Sequence, residues 1–384
     1  MERRTFLRGA VVSGSAAAFG GTLMHGATHA APAQPGPSPY GPLGSPDARG
    51  IRLPSGFTSR IIARSGQQVG GTSYTWHRAP DGGACFPSGS GWIYVSNSEV
   101  NPGGGASAVR FNSSGSVTGA YRILSGTRQN CAGGATPWNT WLSCEEVDRG
   151  YVYETDPYGV NAPVRRDAMG RFKHEAAAAD PQRRVFYLTE DVGDGCFYRF
   201  VPDTWGDLSA GRLQVLRAGS GTSGSFSWAN VPDPGGSTAT RHQVSGAKRF
   251  NGGEGCHYAG GTVWFTTKGD NRVWRLNLAA QTYELAYDDS LVSGTDPLTG
   301  VDNITGASSG DLFVAEDGGN MEICVITPDD VVAPFLRVEG QSSSEICGPA
   351  FSPDGTRLYF SSQRGTSGSS SGGITYEVSG PFRR

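Results

Sequence analysis

The chain has 384 residues, of which 58 are glycine, and a formal net charge of -3 from 32 basic and 35 acidic residues. The absence of a Gly-X-Y period excludes a collagen, and aromatic residues at 10% argue against a disordered chain. So much glycine disfavours a helical bundle and favours short strands joined by tight turns, and the nearly balanced charge offers no basic surface for nucleic acid.

The first 31 residues have the features of a twin-arginine export signal. Arg3-Arg4 precedes an apolar run of small residues at 10–24, and a small-residue cleavage zone follows at 27–31. The run is too short and too rich in Gly, Ser and Ala for a membrane span; the alternative is a chance arginine pair in a disordered terminus. We therefore predict an exported protein (secreted, periplasmic or attached to the cell wall) without stable membrane insertion, and a Pro/Gly-rich linker at 32–50.

Six β-rich runs with aromatic and β-branched residues follow, at 91–99, 139–146, 184–191, 261–268, 310–317 and 356–363. Their centres lie 45 to 49 residues apart, except for one interval of 77 that contains a Gly/Ser-rich insertion at 203–250. A period in the forties is typical of a β-propeller. The sequence predicts an all-β, six-bladed β-propeller at 51–380, a single domain carrying this insertion, with 172–179 as the best candidate for a short helix.

Most of these runs end in polar or charged residues, namely Glu99, Glu145 and Glu146, Glu190 and Asp191, Lys268, Glu316 and Asp317, and Gln363 and Arg364. Equivalent positions of successive blades converge near a propeller axis, where the acids would repel one another unless cations lay between them. Carboxylate oxygens are the ligands that Ca²⁺ prefers. The set predicts a calcium-binding mouth, although each acid alone could be a solvated strand end.

Seven cysteines are present, and none forms a Cys-X-X-Cys pair, which disfavours a structural zinc site. An odd count leaves at least one sulfur outside any disulfide of an exported protein. Cys131 could therefore be a thiolate ligand, or it could pair with the nearby Cys144.

Three further segments carry candidate ligands. Glu175 follows His174 in an alanine-rich segment, where a buried carboxylate would need a partner such as a metal ion; the alternative is a surface residue on a short helix. Glu254 lies among glycines that would let the backbone approach a cluster closely, or that simply form a turn. Asp302 and Asn303 could supply ligands or form an Asx-turn that opens a strand.

Several motifs, in one order along the chain, resemble those of the PhoX-type alkaline phosphatases. They are NCAGGATPWNTWLSCEE at 130–146, GRFKHEA at 170–176, the strand ending in Glu190-Asp191, DNIT at 302–305 and GPAFSPDG at 348–355. The Cys-Ala-Gly-Gly…Cys-Glu-Glu block is specific, whereas SPDG is common in propellers, and the twin-arginine signal is also shared. The resemblance spans roughly residues 50 to 370. It implies a six-bladed propeller with an iron–calcium cluster that hydrolyses phosphomonoesters.

The resemblance also implies roles for individual residues. Cys131 matches an iron ligand, Glu146 a calcium ligand, Glu175 a bridging carboxylate, Asp191 or less securely Glu190 the acid of the next inner strand, Glu254 the late bridging glutamate, and Asn97 an asparagine near the phosphate. Glu145, in the same block as Glu146, joins the metal candidates.

One position departs from the family pattern. Active members carry an arginine facing the phosphate two residues before the late glutamate, and this chain has Gly252 there. Because a dianionic phosphate needs compensating charge, we predict that Lys268 and Arg364 take over this function. His174 is the candidate proton donor to the leaving group.

The resulting prediction is an exported, monomeric, metal-dependent phosphomonoesterase that acts on small-molecule phosphate esters with calcium and iron. Metal cations would polarise the phosphoryl oxygens and stabilise the developing charge. No G-x-S-x-G motif supports a serine hydrolase. The alternatives are a non-catalytic calcium-binding propeller that serves as a binding module, and a lactonase-like calcium propeller.

Overall fold

The computed structural model describes residues 31–384, so the predicted export signal lies almost entirely outside the described residues. Strands dominate this part of the chain. In chain order they are β1 (Gln34–Pro35), β2 (Ile51–Arg52), β3 (Thr58–Arg64), β4 (Pro80–Ser88), β5 (Gly91–Ser98), β6 (Gly104–Phe111), β7 (Val117–Thr127), β8 (Asn130–Ala135), β9 (Trp141–Glu145), β10 (Val152–Thr155), β11 (Val164–Arg165), β12 (His174–Asp180), β13 (Val185–Glu190), β14 (Phe197–Thr204), β15 (Asp207–Ala218), β16 (Gly224–Asn230), β17 (Gly253–Ala259), β18 (Thr262–Thr267), β19 (Arg272–Asn277), β20 (Thr282–Asp288), β21 (Val301–Gly306), β22 (Leu312–Glu316), β23 (Glu322–Ile326), β24 (Val331–Val338), β25 (Ile346–Phe351), β26 (Arg357–Ser362) and β27 (Ile374–Ser379).

Helical structure within residues 31–384 is confined to single 3₁₀ turns at Asp167–Met169, Thr240–His242, Lys268–Asp270, Asp289–Leu291 and Gly365–Ser367. The short helix predicted at 172–179 is wrong, because His174–Asp180 is strand β12. Its alanines favour a helix by intrinsic propensity, but this segment pairs with β13 and packs closely against β8, where a Cβ on Gly134 would clash with the carbonyl oxygen of Ala177. Small side chains are needed at this approach.

The strands form antiparallel meanders. β4–β7, β8–β11 and β25–β27 with β3 are four-stranded sheets, and β21–β24 form a larger sheet with β1 and β2. A nine-stranded sheet contains the meanders β12–β15 and β17–β20, which β16 joins by pairing with both β15 and β20. The all-β, propeller-like prediction is confirmed. Hydrogen bonding gives five sheets, because β16, formed by the predicted insertion, merges two meanders.

The six predicted β-rich runs coincide with second strands of the meanders, namely β5, β9, β13, β18, β22 and β26. Their apolar residues enter the cores between neighbouring sheets; Tyr94 and Phe313, for example, are fully buried. The period in the sequence therefore corresponds to the repeated second strand of each meander.

The first strands of the meanders, β4, β8, β12, β17, β21 and β25, surround a common axis. Each contacts the next, and β25 contacts β4, so the six strands close a ring. This ring positions the candidate site.

Two further contacts tie the ends of the described chain to the fold. β27 pairs with β3 from Ile374 opposite Arg64 to Ser379 opposite Thr58. The stretch predicted to be a linker packs against β24 through β1, and Ala33 is fully buried, with its N–H donating to the carbonyl oxygen of Ala286 at 2.8 Å.

Candidate metal centre

The second residue of each innermost strand occupies an equivalent place in the ring. These residues are Asp81, Cys131, Glu175, Glu254, Asp302 and Cys347. In all six strands the pairing with the next strand shifts register at or beside this residue. Such bulges redirect side chains, and they give the six positions a common local geometry.

Five of these residues, with four more acids, form overlapping groups of potential metal ligands. The groups are Asp81, Glu99 and Cys131; Cys131, Glu146 and Glu175; Glu175, Glu254 and Asp302; and Asp302, Asp317 and Glu345. Within each group one ligand atom of every residue lies within 4.8 Å of the others. Because neighbouring groups share a residue, they form one continuous line of ligand atoms. The seven cysteines are free, so the alternative Cys131–Cys144 disulfide is not formed.

Three second strands end in a pair of acidic residues, and the two residues of each pair make different contacts. In each pair the first carboxylate accepts the backbone N–H of the residue six positions later: Glu145 from Tyr151 at 3.1 Å, Glu190 from Cys196 at 3.1 Å and Glu316 from Glu322 at 2.9 Å. Of the second residues, Glu146 and Asp317 join the ligand groups. Adjacent strand residues point to opposite sides, so the first acid of each pair fixes the turn and the second points the other way. Asp191 pairs there with Lys173 and joins no ligand group.

Glu145, Glu190 and Asp191 were predicted to be metal ligands, and the structure brings none of the three into a ligand group. The second oxygen of Glu145 accepts the backbone N–H of Arg128 at 3.0 Å. Glu190 pairs with Arg241 at 3.0 Å and accepts the hydroxyl of Tyr198 at 2.7 Å. The alternation of side chains along a strand is the sequence signal that distinguishes Glu145 from its neighbour Glu146.

The centre is buried and electrostatically unbalanced. Glu175 and Glu254 are at most 1% exposed. Oε2 of Glu175 has no hydrogen-bond partner among the described residues, and Oε1 of Glu254 has only the ion pair with Lys268 Nζ at 3.2 Å. Burial, followed by repulsion from neighbouring carboxylates, raises the pKa of both groups well above the ordinary value. Burial also raises the pKa of Asp302 to about 7 and that of Glu146 to about 8. Such oxygens require protons or cations.

This donor set fits metal ions. Carboxylate oxygens suit Ca²⁺, and Cys131 adds one thiol, a ligand that favours a softer transition metal. Burial and the neighbouring Asp81 and Glu175 raise the pKa of the Cys131 thiol well above its ordinary value, so a cation would be needed to hold it as a thiolate.

Three basic side chains lie among the acids and remain about one third exposed. Lys173 Nζ lies 2.8 Å from Glu146 and 2.6 Å from Asp191. The other contacts are Lys268 Nζ at 3.2 Å from both Glu254 and Asp317, and Arg364 Nη1 at 3.1 Å from Glu345. Burial opposes the charge on Lys268, but Asp302, Glu254 and Asp317 raise its pKa above the ordinary value. The acidic end of the ring, which we call the mouth, thus has positively charged side chains next to its carboxylates.

Asn97 is fully buried, and its amide is satisfied by protein groups. Its Nδ2 donates to the carbonyl oxygens of Cys131 at 3.0 Å and Ala132 at 2.8 Å. Its Oδ1 accepts from Trp141 Nε1 at 2.9 Å and Ser143 Oγ at 2.8 Å. Asn97 therefore holds the backbone that carries Cys131.

His174 lies on the side of β12 away from the ligand groups. Its ring lies 3.6 Å from that of Phe172, and its Nε2 donates to the carbonyl oxygen of Gly170 at 3.1 Å. Burial lowers the pKa of His174 to about 3, so the ring is neutral at ordinary pH. This placement argues against the predicted proton donor.

Sequence reasoning missed Asp81, Glu345 and Lys173, and left Asp302 undecided. Lys173 stands in the quoted GRFKHEA motif, but Asp81 and Glu345 follow no repeat that the sequence displays. Asp302 and Asn303 lie within β21, which excludes the strand-opening turn. Asn303 Nδ2 donates to Asp302 at 2.9 Å and its Oδ1 accepts the N–H of Gly348 at 2.6 Å.

A layer of mostly small residues separates the acids from the rest of the axis. It consists of the next residue of each inner strand, namely Gly82, Ala132, Ala176, Gly255, Asn303 and Gly348. A Cβ on Gly255 would lie 2.5 Å from the backbone nitrogen of Ile304. Beyond this layer lies a cavity of about 370 Å³, lined by residues such as Cys85, His257 and Thr305 and by no carboxylate. The ligand chemistry therefore belongs to the acidic end.

Comparison with protein families decides the relationship. The family model for alkaline phosphatase PhoX matches residues 91–365, more than half of the chain. The chain belongs to the PhoX family. The resemblance inferred from the motifs is thereby confirmed, and the PhoX match includes Cys131, Glu146, Glu175 and Glu254. Comparison with curated proteins gives no match.

The solved structures agree in fold. PhoX from Pseudomonas fluorescens, in complex with vanadate, a transition state analogue, is 18% identical, with a TM-score of 0.71 over 91% of this chain and 98% of that chain. A protein of unknown function from Dyadobacter fermentans is 8% identical, with a TM-score of 0.53 over 86% of this chain and 100% of that chain. No helix of the described residues is long and apolar enough to cross a membrane.

Proposed function

We propose that the protein is a metal-dependent phosphomonoesterase that hydrolyses small-molecule phosphate esters. The observation that supports this most directly is the buried Oε2 of Glu175, which has no hydrogen-bond partner among the described residues and lies at the centre of a PhoX-family fold. On a solvated acidic surface water would satisfy such an oxygen, whereas this buried oxygen needs a proton or a cation.

We propose calcium and iron as the cations. The residues that would hold them are Asp81, Glu99, Cys131, Glu146, Glu175, Glu254, Asp302, Asp317 and Glu345. Bound metal ions supply Lewis-acid polarisation of the phosphoryl oxygens and stabilisation of negative charge during the reaction. Asn97 positions Cys131 through its backbone contacts.

The chain's own basic residues bind the phosphate in this proposal. Gly252, where the resemblance expects arginine, has a φ of +72°, and a Cβ there would lie 3.1 Å from Asp191 Oδ1 and 3.9 Å from Glu254 Oε1. Lys268, together with Lys173 and Arg364, supplies positive charge at the same mouth. Once cations neutralise the acids, these side chains are free to orient a phosphate dianion.

Proton transfer to the leaving group does not involve His174 in this scheme. The ring is buried and neutral, with its pKa lowered to about 3 by burial. The leaving group receives its proton from water at the open mouth, and the carboxylates serve as metal ligands.

We propose six blades, with β12–β15 and β17–β20 counted separately within the nine-stranded sheet, in a single domain at 51–380. The closed ring of six innermost strands supports this count. We further propose that residues 1–31 direct export through the twin-arginine pathway and that the mature protein is a monomer. Size-exclusion chromatography with light scattering and N-terminal sequencing of exported protein test these assignments.

Elemental analysis of the purified, folded protein tests the metal assignment. Iron together with calcium supports the proposal. Calcium alone favours a binding module or a lactonase-like propeller, and the absence of both metals refutes a metal centre.

Hydrolysis of p-nitrophenyl phosphate in calcium, with and without a chelator, tests catalysis. We expect Cys131→Ala to lower kcat/KM by about 100-fold or more, since even residues that only support metal ligands contribute 10- to 100-fold. Cys144→Ala is the matched control, because Cys144 is a buried thiol on the adjacent strand that packs in an apolar core. Chelator-resistant turnover, or equal losses in the two variants, would contradict the proposal.

A further inference from the structure

A second polar cavity, of about 170 Å³, lies beside the acidic mouth and contains no ligand group. It is lined chiefly by Arg149, Arg171 and Arg241, with Asp148 and the hydroxyl residues Ser237 and Thr240. Three guanidinium groups and one carboxylate leave this small cavity with an excess of positive charge.

The cavity lies next to the mouth, because residues that line it are close in sequence to residues of the mouth. Asp148 and Arg149 follow the ligand-group residue Glu146 by two and three residues, and Arg171 precedes Lys173 by two. Arg241 contacts Glu190, the residue before Asp191. The cavity therefore lies near the side of the mouth that is formed by Glu146, Lys173 and Asp191.

Two of the three arginines form no ion pair among the described residues. Arg241 is ion-paired with Glu190 and Asp194. Among the described residues, neither Arg149 nor Arg171 has a carboxylate within ion-pair distance. The hydrogen bonds of Arg149 go to the carbonyl oxygens of Gly235 and Ser237, at 2.9 and 3.4 Å.

Arg171 adds a second observation that favours anion binding. Its Nε is buried and has no hydrogen-bond partner among the residues that the structure describes. Its guanidinium is held over the ring of Tyr151, 4.7 Å from the centroid. A guanidinium that is fixed in place with a free donor is prepared to bind an anion, because bidentate arginine contacts suit phosphate and carboxylate groups.

The far wall of the cavity comes from the insertion. Ser237, Thr240 and Arg241 lie between β16 and β17, and the backbone N–H of Arg171 donates to the carbonyl oxygen of Pro234 at 3.0 Å. The segment that interrupts the regular repeat thus encloses the arginines next to the mouth.

We propose that this cavity is a substrate subsite for a second phosphate group, so that the enzyme favours phosphomonoesters that carry another phosphate. The inference rests on the proposed function for its catalytic part. The metal centre would receive the phosphate to be cleaved, and Arg149 and Arg171 would hold the other phosphate through charge-assisted hydrogen bonds.

Kinetics with fructose 1,6-bisphosphate and fructose 6-phosphate test the subsite. We expect Arg171→Gln to raise KM for the bisphosphate about tenfold or more, with kcat and the constants for the monophosphate unchanged. Arg165→Gln is the matched control, since Arg165 also lies over Tyr151, at 4.3 Å, but pairs with Asp167 and does not line the cavity. Equal KM changes for the two substrates, or in the two variants, would overturn the subsite.

A binding experiment separates this inference from the proposed function. If the parent protein hydrolyses neither sugar phosphate, the proposed function fails, and calorimetric titration of the calcium-loaded protein with inorganic pyrophosphate decides the cavity. At least tenfold weaker binding by Arg171→Gln than by Arg165→Gln supports an anion site, and equal binding refutes it. Relief of inhibition by inorganic phosphate without a change in the bisphosphate KM would assign the cavity to free phosphate and overturn the substrate subsite.

Discussion

At the ends of the second strands, neighbouring residues of the same type make different contacts because the backbone points their side chains in opposite directions. Glu145 and Glu146 are adjacent and chemically identical, yet one accepts two backbone N–H groups and the other joins Cys131 and Glu175. The reason is the alternation of side chains along an extended strand. At this strand end the first acid is structural and the second is a candidate ligand.

Exchange of each glutamate for glutamine should separate these roles. We expect Glu146→Gln to weaken calcium binding about tenfold or more, because it removes a charged ligand. Glu145→Gln should leave calcium affinity nearly unchanged and lower the free energy of unfolding by about 1–3 kcal/mol, since hydrogen bonds to a charged acceptor become neutral ones. Calcium titration calorimetry and urea unfolding measure the two effects. Reduced calcium affinity in Glu145→Gln alone would contradict the division.

At the scale of the element, the innermost strands combine a register shift with small residues where neighbouring strands meet. The six second strands were predictable, because alternating aromatic and β-branched residues recur at blade spacing. The shifts beside Asp81 or Glu175 were not, since a bulge has no fixed sequence pattern. Asp81 and Glu345 reach the site through contacts between strands far apart in sequence, which local pattern cannot report. The alanines of β12 misled the helix prediction for the same reason: tertiary packing overrides propensity.

A methyl group in the layer of small residues should disturb the ring. Gly255→Ala would place its Cβ 2.5 Å from the backbone nitrogen of Ile304, and we expect a loss of about 1–3 kcal/mol in the free energy of unfolding, as for other overpacked interiors. Gly119→Ala is the control, because Gly119 lies in strand β7 with no atom near the added carbon. Urea unfolding of the two variants measures the difference. A Gly255→Ala protein as stable as the control would show that the strands can separate freely.

At the scale of the whole molecule, the acids on the axis make stability depend on pH and on cations together. Burial raises the pKa of Asp302 to about 7 and that of Glu146 to about 8, whereas both would titrate near pH 4 in the unfolded chain. In the metal-free protein, the unfolded chain therefore releases these protons first as pH rises. Stability from the buried protons is complete below about pH 4 and is lost between about pH 4 and pH 8.

Thermal unfolding at pH 5 and pH 8 tests this linkage. In a chelator we expect Tm to be lower at pH 8, since each unit of raised pKa corresponds to about 1.4 kcal/mol. Added calcium should raise Tm more at pH 8 than at pH 5, because cations replace the lost protons. A chelated protein whose Tm rises from pH 5 to pH 8 would contradict the buried, cation-dependent centre.

The pairing of β27 with β3 has a consequence for the order in which the molecule can be made. The ligand groups draw on residues from Asp81 to Glu345, and the last sheet is complete only when Ile374–Ser379 pairs with Thr58–Arg64. A ribosome would thus have to release nearly the whole polypeptide before the centre could exist. Contacts so distant in sequence also slow folding. If the centre binds metal as proposed, uptake follows the folding of nearly the whole chain, and the cations available where folding ends determine what the centre contains.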